Sequence, residues 1–463
     1  MSAQESPILT QSVPRLFFTM AMPIILGLMV SGLYTFVDAI FISRAVGTDA
    51  IGGVSAAFPI HMLMISISTM LGSGMASIIS RRLGANEDLM ASKVFSASLQ
   101  LSLLVGLSVS VLLFLLRENL FSLMNTPAAL LPYAMEYITP IACYGLISFS
   151  YSTFSENFRA QGKNVWVMKL MALSAVMNVV LDALFLFVFE WGVEGAAWAT
   201  VLAITISLVI ALIMFNKGEH RVQLLWRYFR FIPAIHKEAL SLGFPLFLSY
   251  LGFALMLVMV NLAIANVAGA DAQLLISAHG IFNRTFMLIF LPVLGMMIAF
   301  QTFAGFNYGA KQYARVKEGL KVAIWYTSIY GLLWTGFMLT RSHWLFQLFT
   351  QDQALIDAAV AMAEVFFIAY AVVGVRTICP ALFQALGFAK PAIVLNALHN
   401  YFLLLPALWF CSVNFGVVGI WLTFPVVDII GAIVIGIYTG RFINRLALKK
   451  DTEQYSEGEK KAA

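Results

Sequence analysis

Charge is what this 463-residue chain has least of. Only 11% of its residues are Asp, Glu, Lys or Arg, while 61% are hydrophobic. Soluble domains average about 25% charged residues. The shortage of charge excludes an ordinary soluble domain and predicts a polytopic membrane protein.

Other absences narrow the class further. The three cysteines, Cys143, Cys379 and Cys411, lie in apolar segments and outside any CxxC or Cys/His arrangement. This excludes a disulfide framework and a cysteine metal site. No loop of the GxxxxGK[ST] type occurs, which excludes ATP as the direct energy source. The N-terminus has no basic stretch followed by a short apolar core and a cleavage site, so we expect no removable signal peptide.

Long apolar runs, by contrast, fill the chain. About 20 apolar residues in a helix cross a bilayer, and twelve segments reach that length. They lie at residues 16–42, 51–80, 94–116, 129–153, 164–189, 193–215, 240–268, 274–306, 318–340, 354–384, 390–412 and 416–440. An even number of spans places both termini on the same side of the membrane.

The distribution of basic residues gives the orientation. Of the 28 Lys and Arg residues, 23 fall in the loops and termini on one side, and three, Arg44, Arg117 and Arg341, fall in the opposite loops. Cytoplasmic loops are the ones enriched in Lys and Arg, so we expect both termini in the cytoplasm. The net charge of +5 is therefore a consequence of topology, and nucleic acid is not an expected partner.

The two halves of the sequence resemble each other. Four features of the first half recur in the same order in the second half at a nearly constant offset, which indicates an internal duplication. The pairs are Pro23 with Pro245, Gly47 with Gly269, Gly162 with Gly387, and GVEG at 192–195 with GVVG at 416–419. Because each half holds six spans, the halves are parallel repeats about an axis along the membrane normal.

The fold predicted from these patterns is all-α, with twelve transmembrane helices in two six-helix lobes related by a pseudo-two-fold axis. Residues 1–215 form the N-terminal lobe and residues 240–440 the C-terminal lobe. The basic and aromatic segment 216–239 joins them along the cytoplasmic surface, and residues 441–463 form a charged cytoplasmic tail. Two parallel lobes around a cleft suit alternating access.

Asp38 is the only charged residue in the first span. A carboxylate inside hydrocarbon is unfavourable unless it faces a protein interior or a water-filled cavity. At a helical rise of ~1.5 Å per residue, Asp38 and Asp182 of the fifth span lie at similar depths in the outer half of the N-terminal lobe. We interpret the two carboxylates as one cluster that binds a proton or Na⁺.

Neutral polar residues lie at the same level. Asn178 is one helical turn from Asp182, and Tyr34 has the same relation to Asp38. Thr200 and Tyr137 enter from the outer side to a similar depth. These side chains are candidates for the cation cluster, although hydrogen bonding between helices is an alternative for each of them alone.

The C-terminal lobe has no equivalent acids, because the repeat offsets lead from Asp38 and Asp182 to Val260 and Pro406. We therefore place cation coupling in the N-terminal lobe. Asn261, Arg284 and Glu364 are candidates for a cation or substrate cavity in the other lobe; alternatively, Arg284 and Glu364 pair with each other. Two further interpretations are structural: interhelical hydrogen bonds for His61 and His279, and an ion pair between Arg376 and Asp428.

Several motifs together resemble a known family. They are YTFVDAIFI in span 1, GTDAIGGVSAA in the first loop, RRLGANE with its repeat NYGAKQ, RAQGK before span 5, NVVLD in span 5 and WGVEGAAWAT in span 6. Over residues 15–440 or so, the chain resembles the multidrug and toxic compound extrusion (MATE) transporters.

That resemblance implies two V-shaped lobes and export of amphipathic, often cationic compounds by antiport with H⁺ or Na⁺, without a further cofactor. Asp38, Asp182, Asn178 and Thr200 match the cation site of the DinF-like prokaryotic branch. It also implies a monomer in the inner membrane of a prokaryote, with small-molecule substrates and the lipid bilayer as its partners.

The NorM-like branch is a poorer match, because it has an acidic residue in span 7 and none occurs here from Ala239 to Ala268. Glu364 leaves part of a NorM-style Na⁺ site open. Three other functions remain alternatives. A lipid-linked oligosaccharide flippase needs a basic cavity, and an intramembrane aspartyl protease needs a GxGD motif that is absent. A channel or receptor without transport is the third.

Overall fold

The computed structural model describes residues 7–462, of which Thr48 and 447–462 are described by their backbone alone. The predicted charged tail therefore lies largely outside the described side chains. All regular structure in this range is helical. The α-helices are α1 (Pro7–Thr10), α2 (Val13–Ala45), α3 (Thr48–Gly84), α4 (Asp88–Leu123), α5 (Leu131–Cys143), α6 (Gly145–Ala160), α7 (Asn164–Ala183), α8 (Gly192–Lys217), α9 (Pro233–Val267), α10 (Ala272–Gly309), α11 (Tyr313–Phe346), α12 (Gln353–Phe367), α13 (Val373–Leu386), α14 (Ala389–Ala397) and α15 (Leu405–Ala462).

The described helices make twelve membrane crossings. Nine helical stretches are long and apolar enough to cross alone, and the pair Gln353–Phe367 and Tyr370–Leu386, bent by 49°, makes a tenth crossing. α5 and α6, interrupted at Tyr144, make another. The stretch Ala389–Leu446 holds two crossings, because the backbone leaves the helical conformation at Gly416. The predicted all-α membrane protein with twelve spans is confirmed.

Several helices are longer than the predicted spans. α3 continues past the apolar segment 51–80 to Gly84, and α4 begins at Asp88 although its apolar segment begins at 94. A run of apolar residues ends where charges begin, but a helix continues into water as long as its backbone hydrogen bonds can form. Hydropathy therefore predicted the crossings and missed the charged turns at the helix ends.

The internal duplication is visible in the backbone. Four pairs of residues related by the repeat offset all have a φ between 55° and 118°, a conformation that side chains with a Cβ rarely adopt. The pairs are Gly47 and Gly269, Asn86 and Lys311, Gly162 and Gly387, and Gly192 and Gly416. The two halves of the sequence thus share the geometry of their turns.

The chain divides into two compact units, and the boundaries between them fall inside helices. One consists of Met22–Tyr250, and the other of the residues up to Ala21 together with Leu251 onward. The boundaries fall inside α2 and α9, so each of these helices contributes to both units. The predicted lobe limits, 1–215 and 240–440, remain predictions.

The segment 216–239 packs on α4 within its own unit. The Arg221 guanidinium donates to the Asp88 carboxylate at 3.1 Å, and the backbone N–H of Gln223 donates to Ser92 Oγ at 3.0 Å. Leu225 N–H donates to Ser96 Oγ at 2.9 Å. These bonds fasten the segment along one helix instead of leaving it as a free linker.

Within the same unit, α3 and α9 touch backbone to backbone. A Cβ added to Gly243 would lie 1.8 Å from the carbonyl oxygen of Met70, and one added to Gly74 would lie 1.9 Å from that of Ala239. Such a close approach requires glycine on both helices. We call this contact the glycine seam.

We expect Gly243→Ala to destabilise the protein by about 1–3 kcal/mol, because the added methyl group meets backbone that cannot rotate away. Thermal unfolding of the purified protein in detergent measures the effect. Gly280→Ala is the matched control, since a Cβ there meets nothing within 4 Å. Equal unfolding midpoints for both variants would contradict the seam.

Candidate functional site

Asp38 and Asp182 come together in the unit Met22–Tyr250. Asp38 lies on α2 and Asp182 in the last turn of α7, and their carboxyl groups are within hydrogen-bonding range of each other. Asp182 is completely buried, and Oδ1 of each carboxyl group is buried without a partner among the described residues. Two carboxyl groups share a hydrogen bond only if one holds a proton.

Asn178 and Thr200 complete this cluster. The hydrogen bonds fix the orientation of the Asn178 amide: its NH₂ donates to Asp182 Oδ2 at 3.1 Å, and its oxygen accepts from Thr200 Oγ1 at 3.2 Å. Both residues are buried, with exposed fractions of 2% and 8%. The amide therefore connects α8 to the acidic pair. The sequence-predicted residues Asp38, Asp182, Asn178 and Thr200 lie in one cluster.

A change in helix type follows directly after Asp182. α7 ends at Ala183 and continues as a π-helical turn, Leu184–Val188. A π-helical turn widens the helix by one residue and is frequent at functional sites. Phe185 in this turn stacks on Trp191 with ring centroids 4.7 Å apart. This packing holds the end of the span on which Asp182 lies.

Tyrosines surround the carboxyl pair. Tyr34 and Tyr137 both lie within electrostatic range of Asp38 and Asp182. Tyr137 is 7% exposed. Their hydroxyl groups can donate to a carboxylate or accept from a bound ion. Both candidates thus lie beside the cluster.

Tyr144 and His61 extend the polar network, and sequence analysis did not link them to it. Tyr144 interrupts span 4 between α5 and α6 and lies within electrostatic range of Tyr34 and Tyr137. His61 Nε2 lies 3.1 Å from the Tyr144 hydroxyl. The interhelical hydrogen bond expected for His61 is present. No motif marks Tyr144, so only the fold shows its position.

The candidates in the other unit do not form one cluster. Asn261 Oδ1 lies 2.9 Å from His279 Nδ1, a bond between α9 and α10. Arg284 and Glu364 are exposed, and the described part of the chain shows no ion pair for either of them. The structure thus does not support the alternative that they pair. Their place in a cavity stays a prediction.

Arg376 and Asp428 do form an ion pair, with Arg376 Nε 3.5 Å from Asp428 Oδ1. His399 joins them through its ring nitrogen, 3.3 Å from the same oxygen. Sequence analysis had not grouped His399 with this pair. The π-helical turn Leu398–Leu404 and the break at Gly416 change the rise of the last two spans, so sequence spacing alone does not place His399 beside Asp428.

The donor set at Asp38 defines the chemistry available. Carboxylate, amide and hydroxyl oxygens suit a proton or a hard cation such as Na⁺. The unpaired Oδ1 atoms of Asp38 and Asp182 are acceptors that either ion would satisfy. Among the described residues, no group of three or more His, Cys, Asp or Glu could hold a metal ion. The donor set is suited to a proton or a hard cation and does not resemble a transition-metal centre.

Comparison with known proteins shows the family to which this chain belongs. The family model MatE matches residues 23–184 and 245–409. The two matches begin at Pro23 and Pro245, the first pair of the internal repeat. The two matched segments make up well over half of the chain, so this chain belongs to the MatE family of membrane transporters.

Named relatives are distant but extend over nearly the whole chain. The "Probable multidrug resistance protein YoeA" of Bacillus subtilis is 24% identical over 443 residues, which are 92% of this chain and 94% of YoeA. The multidrug export protein MepA of Staphylococcus saprophyticus is 23% identical, over 86% of this chain and 87% of MepA.

A solved structure described as the outward-facing conformation of a multidrug resistance MATE family transporter has a TM-score of 0.89 to this chain. It is 22% identical and covers 96% of this chain and 99% of its own. At this identity, the likeness shows the fold.

We expect Thr200→Val to lower the unfolding free energy by about 1 kcal/mol, because the Asn178 amide oxygen loses the hydroxyl that donates to it. Thr205→Val is the matched control on the same helix, since Thr205 Oγ1 donates only to the Val201 carbonyl one turn away. Thermal unfolding of both variants measures the difference. Equal destabilisation would show that the bond between α7 and α8 adds nothing.

Proposed function

We propose that this chain exports amphipathic, often cationic compounds across a prokaryotic inner membrane by antiport with H⁺ or Na⁺. The observation on which the proposal depends is the carboxyl pair of the half-buried Asp38 and the fully buried Asp182. Asn178 is hydrogen-bonded to Asp182, and Thr200 is hydrogen-bonded to Asn178. The named relatives are multidrug resistance and export proteins. The names of the relatives support the proposed class of substrates, and the carboxyl pair supports the proposed coupling to an ion.

The carboxyl pair suits coupling because it lies on separate helices. Asp38 belongs to α2, and Asp182 belongs to α7. A bound proton or Na⁺ satisfies the unpaired carboxyl oxygens and holds the two helices together. Loss of the ion leaves two closely spaced negative charges that repel each other. The ion therefore favours one arrangement of α2 over another.

α2 can respond to such a change. Pro23 lies inside this helix, and proline removes one backbone hydrogen bond from the turn that precedes it. Bends in helices occur at such positions. A helix that bends at Pro23 moves Asp38, which lies several turns further along, relative to α7.

Antiport follows if drug and ion favour different access states. A ligand shifts a conformational equilibrium only by its difference in affinity for the two states. When drug and cation compete for the N-terminal lobe, binding of one promotes release of the other. The reciprocity of linkage makes the exchange work in both directions.

The second lobe contributes to substrate choice in this proposal. Val260 and Pro406 occupy the places of the two acids, so that lobe has no matching carboxyl pair. Glu364 is exposed on α12 and is free of any ion pair among the described residues. A free carboxylate attracts cationic substrates, and we assign Glu364 that role.

Both termini are cytoplasmic in this proposal, the protein functions as a monomer, and no catalytic step takes place.

The flippase alternative is weaker, since a pyrophosphate-binding cavity would need several basic residues. In the predicted spans only Arg284 and Arg376 are basic residues far from a cytoplasmic span end, and Arg376 is already paired with Asp428.

We expect Asp38→Asn to reduce uphill efflux to the level of vesicles that lack the protein, because the amide cannot bind the coupling ion. Accumulation of a fluorescent cation inside everted vesicles, in which export runs into the lumen, is measured with a proton gradient and a sodium gradient imposed separately, and this also identifies the ion. Asp271→Asn, in the exposed turn before α10, is the control and should transport normally. Uphill efflux by Asp38→Asn would refute the assignment.

We expect Glu364→Gln to narrow the range of cationic substrates while the dependence on the ion gradient remains, because the substitution removes a charge but not the coupling pair. Efflux of cationic and neutral dyes under the same gradient separates the two effects. The assignment of the lobes is reversed if Glu364→Gln abolishes coupling for every substrate and Asp182→Asn leaves it intact.

A further inference from the structure

A second cluster of buried ionisable groups lies in the unit that begins again at Leu251. Arg376 is on α13, His399 is in the π-helical turn Leu398–Leu404, and Asp428 is on α15. His399 is 4% exposed and Asp428 is 7% exposed. None of these residues takes part in the cation site or in the substrate role assigned above.

One nitrogen of His399 lies between two groups of opposite charge. His399 Nε2 is 3.1 Å from Arg376 Nη1 and 3.3 Å from Asp428 Oδ1. Arg376 Nε is 3.5 Å from the same Asp428 oxygen but makes no aligned hydrogen bond to it. Three charged or ionisable side chains thus meet at one ring nitrogen.

This nitrogen can satisfy only one of its neighbours at a time. A guanidinium group only donates hydrogen bonds, so contact with Arg376 requires a bare Nε2. A carboxylate only accepts, so contact with Asp428 requires a proton on Nε2. The presence of a proton on Nε2 therefore decides which of the two neighbours His399 is bonded to.

The unprotonated arrangement leaves polar groups unsatisfied. With a bare Nε2, the neutral ring has its hydrogen on Nδ1, and Nδ1 is buried without a partner in the described part of the chain. Nδ1 faces the backbone at Gly431, where an added Cβ would lie 2.9 Å away. The hydroxyl of Tyr370, 1% exposed, also lacks a partner among the described residues.

We propose that Arg376, His399 and Asp428 form a second proton-binding site, in which a proton on His399 Nε2 moves the imidazole from Arg376 to Asp428. The bound proton comes from water and occupies the lone pair that otherwise accepts from Arg376. The protonated ring then donates to Asp428 and repels the guanidinium group.

The ionisable groups around the site come from several elements. Arg376 faces His399 from α13 and Asp428 faces it from α15. Tyr370 lies within electrostatic range of Arg376, of Asp428 and of Tyr330 on α11. The Tyr370 hydroxyl has a free lone pair, which is available to the Arg376 N–H that a protonated His399 releases.

The site lies beside a bend. Tyr370 begins the short helical turn Tyr370–Val372 between α12 and α13, where the span is bent by 49°. Arg376 lies one turn beyond Val372 on α13. A change in the partner of Arg376 therefore acts next to the bend in span 10. Proton binding here is independent of any drug and of the Asp38 pair.

Double-mutant cycles on the full-length protein in nanodiscs test the site. The variants are His399→Gln, Asp428→Asn, Arg376→Gln and the two double variants that contain His399→Gln. Thermal unfolding is measured from pH 5 to pH 9 without substrate. We expect coupling between positions 399 and 428 at low pH and its loss as the pH rises. Coupling between 399 and 376 should appear as the pH rises, each as a shift of about 2 °C.

A merely structural cluster gives couplings that do not change with pH, and that result would overturn the proposal, as would the absence of coupling at every pH. If Asp428→Asn does not fold, nitrogen-15 NMR of the histidine rings replaces the cycles. A ring signal that is absent in His399→Gln must then change with pH. A signal that stays constant from pH 5 to pH 9 overturns the site.

His279→Gln is the control, because His279 is buried like His399 but faces the neutral amide of Asn261. Its effect on stability should be the same across the pH range. Since none of these measurements involves transport, failure of this site and failure of the proposed drug export are distinguishable.

Discussion

The free-energy cost of holding two carboxyl groups together in the spans of a membrane protein is the constraint on which the rest of the structure depends. Asp38 and Asp182 approach each other inside a membrane protein whose surroundings cannot solvate them. Asn178 and Thr200 supply hydrogen bonds, and a π-helical turn follows Asp182. These features reduce the desolvation penalty without removing it. In the proposed antiport a bound ion relieves the remaining penalty, so the instability of the empty site and the coupling have the same physical origin.

The two halves of the duplicated sequence agree in the geometry of their turns and differ in the polar residues inside their spans. The paired turns keep the same positive φ, as Gly162 and Gly387 show. The chemistry inside the spans did not stay paired, since Asp182 corresponds to Pro406. Proline lacks the backbone N–H of the helix ladder, and the π-helical turn Leu398–Leu404 ends just before it. The two halves therefore share the geometry of their turns without sharing the acidic pair.

Sequence patterns predicted the fold because hydropathy and the repeat both reflect simple constraints, the thickness of a bilayer and the geometry of a turn. They also predicted Asp38, Asp182, Asn178 and Thr200 as neighbours, since helical rise gives depth directly. The depth of a residue in the membrane cannot be predicted from its sequence position where the helical rise per residue changes. His399 lies in a π-helical turn, so its contact with Asp428 could not be read from spacing. The direction in which a side chain such as Tyr144 points within the membrane plane is known only once the packing of the helices is known.

The glycine seam between α3 and α9 has a consequence for leakage. Gly74 and Gly243 bring the two backbones so close that neither side chains nor water fit between them. A protein that draws on an ion gradient loses energy through any continuous thread of water along its helices. Backbone packed on backbone interrupts such a thread without requiring a moving part. The seam therefore closes this part of the unit to a continuous thread of water.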